Sequence, residues 1–152
     1  MQLLDDANMP NVLSLPLLGV ADGDGAYART RARILSADNP YFVSGSAGSG
    51  LGSPHSGGER PCSDCTPENM VWPMGLIAQA LTSEDDGEIA QCLGVLKRSA
   101  AAARTGLMHE SFYKDDARYF TRRWFAWANS AFGALVLRVL DERPHLLLLP
   151  GA

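Results

Sequence analysis

The sequence predicts an all-α domain, a helical array of either the solenoid or the closed-toroid kind. Three observations carry this expectation. Apolar residues recur at helical spacing in about five segments, each bounded by cap or stop signals. Strand-like composition is confined to Tyr41-Phe42-Val43. A run from Ser44 to Glu68 dominated by Gly, Ser and Pro then separates the early helices from the later ones. No internal repeat of fixed period is visible, which weighs against a solenoid.

In chain order, Asn8 is a candidate N-cap, Pro10 suits a first helical turn, and Val12 to Val20 is apolar until Pro16 bends or ends the helix. Asp5 and Asp6 sit where carboxylates complement a helix dipole. Ala26 to Ser36 reads as a second helix, stopped by Asp38-Asn39-Pro40. Trp72-Pro73 opens a helix to Leu81. Thr82 or Ser83 is expected to cap the next, whose stripe is Ile89, Cys92, Leu93, Leu96, Ala100 and Ala103. Arg104-Thr105-Gly106 closes it. Met108 to Phe112 is read as a connection. The last helix is expected from Tyr119 to Glu142, ended by Pro144, with Phe120, Trp124, Trp127, Ala128, Ala131 and Leu135 on one face. Trp124 and Trp127 are expected in the core.

The composition excludes several functions. A length of 152 residues with 46% hydrophobic content supplies one domain with a real core. A net charge of −4 offers no electrostatic footprint for nucleic acid or an anionic membrane. Purely apolar runs such as Leu146 to Leu149 are far too short to span a bilayer, and Asp5 and Asp6 interrupt any signal-peptide pattern, so the compartment stays open. Cys62-Ser63-Asp64-Cys65 is read as a loop pair, bonded or free. A zinc knuckle lacks its remaining ligands, and a redox pair lacks a strand-CxxC-helix context.

Met108-His109-Glu110-Ser111-Phe112 is the stretch with most chemistry in it. It sets a carboxylate between an imidazole and a hydroxyl, just ahead of the aromatic run Trp124-Phe125-Ala126-Trp127. Carboxylates among hydrogen-bonding groups and indole faces build sugar-cleaving sites. Taken alone, these five residues fit equally well a glutamate that caps a helix beside an aromatic core.

The wider pattern decides between them. The segments LLDDANMPNVLSLPLLGV at 3–20, ILSADNPYF at 34–42, GSPHSG at 52–57, VWPMGLIAQALTS at 71–83, MHESF at 108–112 and FTRRWFAWANSAFG at 120–133 together resemble glycoside hydrolase family 125, the exo-α-1,6-mannosidases. The six occur in the family's order and cover nearly the whole chain. The longer loop from Gly58 to Met70, with its CxxC, resembles a fungal-type variant; Ser53 stands where Thr is usual, and Ala134 where many members have an acidic residue.

The resemblance implies an (α/α)6 toroid, of which this chain would be a C-terminal part, with residues 1–152 lying in one catalytic domain and 44–70 forming a long loop on the active-site side. It implies metal-independent, cofactor-free inverting hydrolysis of terminal α-mannose, with Glu110 as general base. The family's acid lies upstream of the DDAN motif, so Asp5 and Asp6 are expected to bind substrate or cap a helix. The implied partners are a mannose-containing oligosaccharide and the missing N-terminal part of the same domain, with no nucleic acid and no membrane. Asp5, Asp6, Asn8, His55, Trp72, His109, Ser111 and Asn129 are the candidate sugar-contacting residues. Capping for Asp6 and Asn8, loop bracing for His55, core packing for Trp72 and orienting Glu110 for His109 and Ser111 remain the competing roles. A truncated, inactive helical module that binds carbohydrate or protein is the alternative from another class.

Overall fold

The computed structural model describes residues 11–20, 23–52 and 62–148. Its α-helices are α1 (Ala26–Ile34), α2 (Pro73–Leu81), α3 (Asp86–Ala102) and α4 (Ala126–Glu142), with 3-10 turns at Val12–Leu18, Pro67–Asn69 and Pro144–Leu148. Five short strands, β1 (Phe42–Val43), β2 (Gly50–Leu51), β3 (Met70–Val71), β4 (Ser111–Tyr113) and β5 (Asp116–Thr121), form two antiparallel sheets. The expected all-α class is thereby corrected to helices braced by two small sheets.

α2 is the centre of the packing. Pro73, Met74, Gly75, Leu76, Ile77, Ala78 and Ala80 are buried, and the helix packs against α3, α4, β2 and the 12–18 turn. A helix apolar on nearly every side requires neighbours on every side, and here it has them. Pro73 occupies the first turn, where a missing N–H costs nothing. At its other end Thr82 Oγ1 donates to the carbonyl of Ala78 at 2.8 Å. The stripe expected on α3, from Ile89 to Ala103, is buried as read. Its N-cap is Asp85, which accepts from the amide of Glu88 at 2.7 Å; Ser83, expected as the cap, instead receives the Asp85 amide at 3.1 Å.

The first apolar segment is a 3-10 turn rather than a longer helix. Asn11 caps it, accepting from the Ser14 amide at 3.1 Å, and Gly19 ends it at φ 77°. Pro16, inside the turn, carries no amide hydrogen to continue an α-helical ladder. Asn8, expected as the cap, lies outside the described residues, as do Asp5, Asp6 and His55.

Residues 44–52 are not a flexible linker. Gly45 passes so close to Lys114 that a Cβ would sit 2.4 Å from that residue's carbonyl oxygen, and Ala47 donates to the same carbonyl at 2.8 Å. At Gly48 a Cβ would meet Val95 at 2.7 Å and Phe112 at 3.1 Å. The glycines let this backbone lie directly on the sheet and on α3. Farther along, Cys62 and Cys65 form a disulfide across a tight turn, Cα–Cα 5.0 Å.

The largest correction concerns residues 116–125. The expected helix from Tyr119 is instead β5, paired with β4 in the register Ser111↔Thr121 and Phe112↔Phe120. Arg122 then takes φ 50°, and α4 starts only at Ala126. The buried side of α4 is Ala128, Leu135 and Val139. Trp124 precedes the helix and Trp127 falls off this stripe, so they are 62% and 68% exposed and not core residues.

Candidate active site

The three-stranded sheet, in the order β3-β4-β5, assembles the site from segments far apart in sequence. β3 pairs with β4 through Val71↔Phe112, so the chain leaving β3 at Trp72 lies at the end of the sheet where Glu110 and Ser111 enter β4. β5 leaves the same end through Thr121 and Arg122. Phe112 and Phe120, paired across β4 and β5, are 0% and 1% exposed and anchor this end to the core. Burial of two such rings contributes several kcal/mol, at roughly 1.5–3 kcal/mol each.

Glu110 is 4% exposed. Its amide donates to the carbonyl of Thr121 at 3.3 Å, continuing the β4–β5 ladder by one residue. Its Oε2 lies 3.0 Å from Nε of Arg122. The two charges are in contact, but the N–H does not point at the oxygen. Oε2 is fully buried, and among the described residues it receives no properly directed hydrogen bond. A carboxylate taken out of water needs a compensating charge, and Arg122 supplies one.

The flanking residues have their polar atoms engaged by the protein. His109 is 2% exposed and stacks on Phe120 with ring centroids 3.9 Å apart and planes 15° from parallel. Its Nδ1 lies 3.1 Å from the carbonyl oxygen of Arg122, and Nε2 lies 3.0 Å from Thr105 Oγ1. A carbonyl only accepts, so Nδ1 carries the hydrogen of the first contact. Ser111 and Thr121 share a hydroxyl–hydroxyl bond of 2.6 Å inside the sheet. In the first turn of α4, Asn129 accepts from the Met108 amide at 3.1 Å and donates to the Met108 carbonyl at 2.8 Å.

His109, Glu110, Ser111 and Asn129 are thus brought together in one structural unit, and β3 leads Trp72 to its edge. Trp72 itself is 4% exposed, its ring against Gly75, where a Cβ would lie 3.0 Å from Cε3. Arg122, Thr121 and Thr105 also belong to the unit and were not expected from sequence. The signal for them is the β4–β5 register, which sets the Glu110 carboxylate beside a cation twelve residues later; helical periodicity hides it.

These residues lie in a chain whose first 137 positions match a single family profile, that of the metal-independent α-mannosidases. The chain belongs to glycoside hydrolase family 125. A relative from Schizosaccharomyces pombe, the meiotically up-regulated gene 157 protein, is 49% identical over 146 residues, which is 95% of this chain and 26% of the yeast protein. Among solved structures, a metal-independent α-mannosidase of this family from Streptococcus pneumoniae, in a non-productive complex with α-1,6-mannobiose, superposes with a TM-score of 0.76 at 41% identity. That match covers 91% of this chain and 30% of the pneumococcal one. The family 125 chain described here therefore spans less than a third of either relative.

No helix among the described residues is long and apolar enough to cross a membrane.

Proposed function

We propose that this chain supplies the general-base half of an inverting exo-α-1,6-mannosidase site, with Glu110 as the base. The observation that carries the reading is the state of Glu110: a buried carboxylate with a cation in contact and one oxygen whose acceptor capacity is uncommitted among the described residues. A base that activates water must stay charged, and the contacting cation favours that state.

Inverting hydrolysis places a protonated carboxylic acid on the leaving oxygen and a carboxylate roughly 6.5–9.5 Å away, with the attacking water between the carboxylate and the sugar. Water adds to the anomeric carbon from the side opposite the aglycone, its proton passes to Glu110, and the acid's proton goes to the departing oxygen. The product is β-mannose. The partner acid is assigned to sequence outside these 152 residues, and the four helices and their turns to one segment of an (α/α)6 toroid.

His109 and Ser111, whose polar atoms are engaged by Arg122, Thr105 and Thr121, are assigned to orienting the Glu110 strand. Asn129 has the same role through Met108. Asp5, Asp6, Asn8 and His55 are the residues proposed to meet the sugar, with carboxylates and amides suited to hydroxyls, whereas Trp72, buried with its ring against Gly75, is assigned to the core. The pneumococcal relative's α-1,6-mannobiose complex supports that substrate class.

The test is turnover of α-1,6-mannobiose by the complete polypeptide, followed by proton NMR of the first anomer released. Glu110→Gln is expected to lower kcat by about 10²-fold or more, as removal of a general base does. Undiminished turnover, or release of α-mannose first, would sink the assignment. The 152 residues alone are expected to be inactive. A second reading, a helical binding module without turnover, draws on the exposed Trp124, Trp127, Leu137 and Leu140. Release of mannose by the 152-residue chain would exclude it.

A further inference from the structure

Arg122 joins three features that no motif assigns to it. It holds a left-handed backbone at φ 50°, its Nε contacts Glu110 Oε2 at 3.0 Å, and its carbonyl receives the Nδ1 side of His109 at 3.1 Å. One residue therefore touches both polar members of the 109–110 pair, one through its side chain and the other through its backbone.

The strand register brings the side chain of residue 122 to Glu110, and the backbone conformation accounts for the carbonyl contact. β5 runs to Thr121, and α4 begins at Ala126. A residue continuing the strand would lie opposite Glu110, one step past the Ser111↔Thr121 pair, with its side chain on that residue's face and its carbonyl in line with the ladder. The left-handed turn instead directs the Arg122 carbonyl at His109 and leaves the guanidinium over Glu110. The turn is unfavourable for an L side chain, and such outliers persist where the surroundings over-determine them. Here the surroundings are the imidazole, the carboxylate and the Phe125 ring, 5.9 Å from the guanidinium carbon.

The guanidinium is also placed to compensate charge without occupying the base. Its N–H is not aimed at Oε2, so the oxygen keeps its acceptor capacity while the cation stays in contact. A directed, bidentate arginine would fix the carboxylate more firmly and engage both of its oxygens.

We propose that Arg122 is the positioning residue of the general base, holding Glu110 charged and in place with its side chain while its carbonyl fixes the His109 ring. The proposal rests on the base assignment of Glu110, so the experiment separates the two. Steady-state kinetics on α-1,6-mannobiose are measured for Glu110→Gln, Arg122→Gly, Arg122→Lys and the Glu110→Gln/Arg122→Gly double variant, in the complete polypeptide. Glycine keeps the left-handed backbone and removes the side chain with its guanidinium; lysine restores a charge without the fork.

Arg122→Gly is expected to lower kcat by about 10- to 100-fold with KM within about twofold, the scale of a misplaced reacting group. Arg122→Lys is expected to recover part of that loss. In the Glu110→Gln background, Arg122→Gly is expected to change residual turnover little, because a residue acting through Glu110 has nothing left to act on. Wild-type kcat in Arg122→Gly, with Glu110→Gln inactive, overturns the Arg122 proposal and leaves the base assignment standing. Full additivity in the double variant, or a loss confined to KM, overturns it in the same way. Retained activity in Glu110→Gln overturns both.

A readout independent of activity uses the 152-residue chain. The imidazole 15N pattern of His109 is expected to keep hydrogen on Nδ1 in Arg122→Gly, whose carbonyl is unchanged. A switch to hydrogen on Nε2 would show that the carbonyl does not fix the ring.

Discussion

Asn129 grips both backbone polar groups of Met108, accepting from its amide at 3.1 Å and donating to its carbonyl at 2.8 Å. The pair fastens the start of α4 to the strand that carries Glu110, 21 residues earlier in the chain. Met108 is itself 4% exposed, so neither backbone group has water as a substitute partner. The amide side chain satisfies a buried donor and a buried acceptor at once, one with each of its two terminal atoms.

Asn129→Ala is therefore expected to destabilise the chain by about 2 kcal/mol, within the range for orphaning buried polar groups. Urea unfolding followed by circular dichroism checks this. Asn129→Asp is expected to be worse than alanine, because a carboxylate cannot donate to the Met108 carbonyl. Equal stability of wild type and Asn129→Ala would remove Asn129 from the support of the Glu110 strand.

Glu88 predicts how the fold responds to acid. Burial pushes its carboxyl up, but hydrogen bonds from Ser83, Gln79 and Arg31, and the charge of Arg31, outweigh burial and leave it below the ordinary value of 4.5. The folded form thus binds this proton more weakly than the unfolded form. Its stabilisation is complete above the unfolded value and is lost as pH falls below 4.5 through the depressed folded value. Glu88→Gln is expected to make unfolding free energy less steep in pH below that point and to lower it near neutrality. Asp86, Asp115 and Asp116 are also held low, by His145 and Arg143, by Ser46, and by Arg118 respectively, so some slope remains. An unchanged slope in Glu88→Gln would contradict the network.

The cysteines predict a two-step thiol chemistry. Cys92 is 2% exposed, and burial pushes its thiol up to about 12. Thiolates are the reactive species, so the folded chain is expected to give no reaction with an alkylating reagent near pH 8. After mild reduction of the Cys62–Cys65 bond, two equivalents are expected to react, and the third only on unfolding. Mass spectrometry of the alkylated chain counts them. Alkylation of Cys92 in the folded, oxidised chain would show that α3 opens readily.

How much of this was legible in the sequence differs from element to element. α2 and α3 were, because Pro73 and Gly106 punctuate them and their apolar positions keep a period near 3.6. β5 was not. Phe120, Trp124, Trp127 and Ala128 fall in helical phase by coincidence, and the strand is decided by pairing with β4, a contact that local periodicity does not contain. The same pairing hid Arg122, since a left-handed arginine carries none of the sequence marking a glycine would give. The role proposed for Glu110 rests, in the sequence, on the six-segment resemblance alone, for its own neighbours fit a cap as well as a site. The packed course of residues 44–52 was missed because glycines that permit close approach look, in sequence, like glycines that permit freedom.

The three tryptophans make the chain its own optical reporter. Trp72 sits in the interior, while Trp124, just before α4, and Trp127, in its first turn, face outward. Emission of the isolated chain should therefore hold a minor blue component and a major red one, with acrylamide quenching confined to the second. Anything that comes to rest on that outer surface, whether another stretch of polypeptide or a sugar, would announce itself as a blue shift without any label. Loss of the blue component alone would instead report damage at the end of β3.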